Sequence, residues 1–186
     1  MKHTLKFLPL LALAACSGKP SAPTAQGFLS ALTPLCDQTY TGAVVSDDPQ
    51  DEDWRREVLT LGPIGCSDEG VMSMPLAVGA NTSRTWFLTP QDGRIEFRHQ
   101  HLLDNGDIDP VSDYGGYSEN LTLDGGVWAV DFPADEKTVK IFKETGLDVS
   151  ITNVWAFEYR AGIFLNYELN RENRNFRAEF DLKPQN

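Results

Sequence analysis

From Thr39 onward, apolar and polar residues alternate in short runs with a period near two. That period belongs to β-strands, whose successive side chains point to opposite faces. The runs read as strands over 40–46, 57–61, 71–78, 84–89, 94–102, 119–123, 127–132, 149–159, 163–170 and 175–182. Alternation is clearest at the end, where Ile163, Leu165, Tyr167 and Leu169 share one face and Phe164, Asn166, Glu168 and Asn170 the other. Phe176, Ala178, Phe180 and Leu182 oppose Arg177, Glu179 and Asp181 in the same way. Turn signals separate the runs: Asp47-Asp48-Pro49, Gly62-Pro63, Gly79, 90–93, Asn105-Gly106, Gly115-Gly116, 124–126 and 160–162.

Two stretches carry a helical period instead. Phe28, Leu29, Ala31, Leu32 and Leu35 place a short N-terminal helix in 27–36. Pro133, Asp135 and Glu136 open an accessory helix near 134–145, with Val139 and Phe142 on one face and Gly146 at its end. Nothing else alternates helix with strand, so this helix reads as a lid or plug and not as a βαβ crossover. Short strands joined by hairpin-length turns predict an antiparallel meander, one face buried and one wet. Closure removes exposed edges. The expected fold is therefore mainly β, a closed calycin-like barrel of about 8–10 strands in preference to a two-sheet sandwich.

The first residues are of another kind. Lys2 and Lys6 precede the apolar run 7–13, which is too short for a permanent membrane span, and Leu13-Ala14-Ala15-Cys16 closes it. This order of basic, apolar and small residues before a cysteine resembles the lipobox of bacterial lipoproteins. The resemblance covers the first seventeen residues and implies cleavage before Cys16, lipidation of its sulfur and acylation of the new amino terminus. It implies a signal peptide at 1–15. Ser17, where an Asp would favour inner-membrane retention, implies the outer membrane, facing the periplasm. The run 17–26, rich in Ser, Gly, Ala and Pro, reads as part of a flexible tether (16–26) that leads into a single β domain at 27–186.

With Cys16 in the anchor, Cys36 and Cys66 remain as a pair, and beyond the cytoplasm the expectation is a disulfide. Such a bond is worth roughly 3–4 kcal/mol on the chain-entropy estimate. Free thiols on a catalytic or metal site are the other reading, and they lack a CxxC spacing or a neighbouring histidine. The formal net charge is −11, and loss of Lys2 and Lys6 with the signal makes the remainder more acidic still. Such a surface repels nucleic acid and anionic headgroups, so the expected membrane contact is the lipid anchor.

Candidate chemistry centres on Ile95-Glu96-Phe97-Arg98-His99-Gln100-His101. Alternation puts Ile95, Phe97, His99 and His101 on the inward face. His99 and His101 could be satisfied structural side chains near a strand end, contacts for a polar ligand group, or metal ligands with one of Asp104, Asp107, Asp109 or Asp113. No recognised third ligand accompanies them, and no metal or cofactor is expected. Trp155, Phe157 and Tyr159 share a strand face with Asn153, so Asn153 and Trp155 join the histidines as candidate ligand contacts. The acidic groups Asp47, Asp48, Asp51, Glu52, Asp53 and Asp104, Asn105, Asp107, Asp109 read as solvated loops, since neither has the order of an EF-hand. No nucleophile elbow, HExxH or phosphate-binding loop is present, so no enzyme is expected. The functional expectation is non-catalytic binding of a small ligand in an envelope-anchored barrel. The alternative is an accessory protein that docks another envelope protein through its acidic surface.

Overall fold

A computed structural model describes residues 22–183. The assigned signal peptide, Cys16 and the tether as far as residue 21 lie outside the described residues. The chain forms one sheet of twelve antiparallel strands, more than the alternation had resolved. They are β1 (Tyr40–Val44), β2 (Leu59–Leu61), β3 (Gly65–Cys66), β4 (Met72–Val78), β5 (Asn81–Gln91) and β6 (Arg94–His101). After these come β7 (Tyr114–Tyr117), β8 (Glu119–Asp124), β9 (Val127–Pro133), β10 (Val154–Arg160), β11 (Phe164–Arg171) and β12 (Arg174–Asp181). Most sequential neighbours pair, β2 pairs with β4 and β3 sits beside β4, and β1 pairs with β12 so that the meander comes round on itself.

The remaining gap is nearly closed by one bent segment. β7 pairs with β6, runs through Ser118 into β8, and β8 pairs with β9. The sequence marked Gly115-Gly116 as a turn; the structure makes it the strand at this seam. A Cβ on Gly115 would overlap the Phe97 carbonyl, and one on Gly116 would overlap that of Pro133, so only glycine lets both neighbouring backbones approach. On the outside, α3 (Glu136–Glu144) lies against the seam. Its Thr138 hydroxyl donates to the Gly115 carbonyl and accepts from the Gly115 N–H, both at 2.7 Å, so the glycine's polar backbone is satisfied without another strand. Arg98, 7 % exposed, bonds Asp135 at 2.5 Å and Glu96 at 2.9 Å beneath the same helix. Because β9 and β10 pair antiparallel on either side of α3, the helix is not a crossover.

Inside, the parity read from the sequence holds for the core. Ile95, Phe97, Trp155, Phe157, Tyr159, Leu165 and Phe180 are all buried and fill the barrel. One end is plugged by α1 (Ala25–Leu32), which takes in Ala25 and Gln26, the last two residues assigned to the tether. The Thr24 hydroxyl caps it by accepting from the Gly27 N–H at 3.0 Å. Its Phe28, Leu29 and Leu32, with Leu35 just beyond, are buried, and Phe28 meets Trp128 edge to face at 6.0 Å. Cys36 and Cys66 form the disulfide, tying this plug to β3.

Candidate functional site at the barrel mouth

At the opposite end the filled interior gives way to a cavity of about 270 Å³. Strand register builds it in two layers. Trp86 on β5 lies opposite His99 on β6, and one step outward Arg84 lies opposite His101. The inner layer is a floor: Trp86 stacks on Tyr167 with centroids 4.2 Å apart, and Tyr114 stacks on His99 at 4.4 Å. Leu76, Leu169 and Phe176 supply apolar wall.

The roof is a segment the sequence had read as a solvated acidic loop. A 3₁₀ turn, Pro49–Asp51, runs into α2 (Glu52–Arg55). Asp51 is 2 % exposed, because Arg174 donates to both its carboxylate oxygens and Ser46 Oγ donates to one of them at 2.9 Å. Arg174 also reaches Asp48 at 3.1 Å. These bonds seat Trp54 of α2 edge-on to Phe176, centroids 5.4 Å apart, at the cavity's edge. The other acidic group, Asp104 to Asp109, is a tight exposed turn around Asn105 and Gly106, as expected.

His99 is fully engaged. Its Nδ1 lies 3.2 Å from the Tyr114 carbonyl, which can only accept, so Nδ1 carries the proton. Its Nε2 is then an acceptor, and the Tyr167 hydroxyl donates to it at 2.9 Å. Burial pushes the imidazole pKa down to about 3, against the pull of the Tyr114 carbonyl and with help from the charges on His101 and Arg98. A ring held neutral, with both nitrogens bonded, is a fixed part of the floor. His101 is less enclosed. Its Nε2 meets the Tyr114 hydroxyl at 3.1 Å, and burial, then the Arg84 charge, lowers its pKa against the opposing pull of Asp109. Burial likewise raises the phenol pKa of Tyr114 and Tyr167.

Of the four candidate contacts, His99 and His101 line the cavity and Asn153 and Trp155 do not. Trp155 lies under the floor, 5.1 Å from the His99 ring, with its indole N–H buried and without a hydrogen-bond partner among the described residues. Asn153 closes the turn before β10 and accepts from Arg171 at 3.1 Å. Alternation alone could not find Arg84, the first residue of the predicted strand 84–89, or Arg174, just ahead of the predicted strand 175–182, since a polar residue at a strand end carries no signal until the mouth is located. Among the described residues no cluster of three or more His, Cys, Asp or Glu side chains is placed to hold a metal ion. No family model, curated protein or solved structure matches this chain.

Proposed function

We propose that this chain is a lipid-anchored protein of the bacterial envelope, tethered by Cys16 to the outer membrane and facing the periplasm, and that its barrel mouth holds a small ligand without catalysis. The observation that carries the binding role is the cavity above the Trp86–Tyr167 floor, where inward-facing aromatic, imidazole and guanidinium groups surround open space in an otherwise filled barrel. Apolar walls with a few convergent polar groups are the usual make-up of a small-molecule site. At about 270 Å³ the space suits a ligand smaller than the drug-sized compounds that fill roughly 300–1,000 Å³. The envelope role rests on the Leu13–Cys16 pattern, and the Cys36–Cys66 disulfide is in keeping with an oxidising compartment.

Native mass spectrometry of the protein isolated from envelopes tests the binding role. The expected spectrum shows a small adduct that is lost on denaturation; protein that is ligand-free in every preparation overturns it. Labelled palmitate should mark the chain and fail to mark Cys16→Ser, and absence of label from the parent chain overturns the anchor.

A further inference from the structure

The groups around the mouth are unevenly committed. Its acids are used: Asp51 and Asp48 are both held by Arg174, whose own charge is thereby matched. Asp109, beside His101, accepts the Val111 N–H at 2.6 Å. Arg84 is different. Its Nη1 donates to the neutral amide oxygen of Asn81 at 3.0 Å, and its guanidinium lies over the Trp54 ring at 4.9 Å. Among the described residues no carboxylate lies within ion-pair distance of it. The ring contact is only a partial match for a part-buried charge. Arg84 is thus a cation at the mouth whose charge no described carboxylate matches.

Building on the binding role above, we propose that the ligand is a small monoanion with an apolar, ring-sized body, its carboxylate-like group taken by the guanidinium of Arg84 and its body laid on Trp86 between Trp54, Leu76 and Phe176. A planar fork of N–H donors fits a carboxylate on two bonds, which a neutral or cationic group cannot reproduce. The chain's net charge of −11 repels anions at long range, so recognition depends on this short-range pairing and not on steering from solution. Lowering of the Arg84 pKa by burial is consistent with a cation short of partners.

Benzoate, benzamide and benzamidine share one ring and differ in the charge of the group it bears, so titrating each into the full-length chain tests the assignment. The readouts are calorimetry and the NMR indole resonances of Trp54 and Trp86. Benzoate should saturate with at least tenfold higher affinity than benzamide, shifting both indoles, and benzamidine should not bind. Arg84→Gln should erase that tenfold preference, Arg84→Lys should keep part of it, and Arg94→Gln, at the far end of the adjacent strand, should change nothing. Unchanged near-ultraviolet circular dichroism of each variant shows that it is folded. Benzamide or benzamidine binding as well as benzoate overturns the anion assignment while leaving the mouth a binding site. Benzoate affinity indifferent to Arg84→Gln, or no saturable shift with any of the three, also overturns it. The native mass spectrum judges the broader binding role separately.

Discussion

The two ends of this barrel are closed by different physics. At one end α1 lays Phe28, Leu29 and Leu32 over the core, and the closure is apolar area removed from water. At the other, the 49–55 segment contributes a single large apolar side chain, Trp54, and is held by Asp48, Asp51, Ser46 and Arg174. Apolar side chains interdigitate and leave little space, since dispersion rewards every added contact. Ion pairs and hydrogen bonds reward particular distances and angles, and a lid fixed by them has no drive to sink further. The plugged end therefore keeps the smaller space, a cleft of about 140 Å³ between Leu29 of α1, the disulfide and Met72, and the polar-capped end keeps a cavity of about 270 Å³.

Breaking the plug should have the largest effect. Phe28→Ala removes a fully buried ring from the apolar end and is expected to cost about 3–5 kcal/mol, read as a fall in the urea midpoint with the slope unchanged. While folded, the variant should bind benzoate as the parent does, because no residue of α1 lines the mouth. A loss under about 1 kcal/mol, smaller than any large-to-small core change of this kind, would show that the plug is not what closes that end.

A smaller stability effect, with an opposite consequence for binding, is expected at the roof. Asp51→Asn removes the charge that neutralises Arg174 and leaves charged hydrogen bonds only partly replaced, a loss of roughly 1.5–3 kcal/mol. The same change leaves a second cation at the mouth less fully matched, so benzoate should bind several-fold more tightly even as the fold weakens. A benzoate affinity that falls in step with stability would mean that the roof shapes the site and its charge does not.

Much of this contrast was legible in the residue pattern, and what was not has physical causes. Alternation found the inward faces of β6, β10, β11 and β12, because a half-buried strand must sort its side chains by face. It failed at strand ends. Alternation starts a strand at Val149 and sets Ile163 on one face with Leu165, but they are 71 % and 41 % exposed, Val149 in a 3₁₀ turn ahead of β10 and Ile163 in the turn before β11. β7 was missed because Gly-Gly spells a turn in local terms, and only the approach of two other strands explains it. The roof was missed for a related reason. An acidic run reads as solvated until a cation is known to face it, and Arg174 lies 123 residues from Asp51. Likewise, the sequence put both histidines inward without showing that His99 is locked into the floor while Arg84 stands opposite His101.

The finest distinction between the ends is in their response to acid. The buried side chains of α1 do not titrate, whereas the mouth is floored by His99, whose imidazole is held at a pKa of about 3 in the folded chain and returns to about 6.5 on unfolding. Below pH 6.5 the unfolded chain therefore takes up a proton that the folded chain refuses. Stability should fall as the pH drops, by about 1 kcal/mol per unit, until the folded imidazole also titrates near pH 3. His101, also lowered, acts in the same sense. Carboxylates such as Asp135 add to the acid loss as well: burial alone would raise its pKa, but hydrogen bonds from Arg98 and Thr138 hold it below the usual range, so its stability is lost at lower pH, from about pH 4 downward. The interval from pH 6.5 to 5 thus belongs mainly to the histidines. Urea midpoints at pH 7, 6 and 5 should decline in the parent chain and in Phe28→Ala along parallel lines. In His99→Gln, which can still accept from Tyr167, most of that decline should vanish. Parallel lines for His99→Gln as well would place the acid sensitivity elsewhere and remove the chemical contrast between floor and plug.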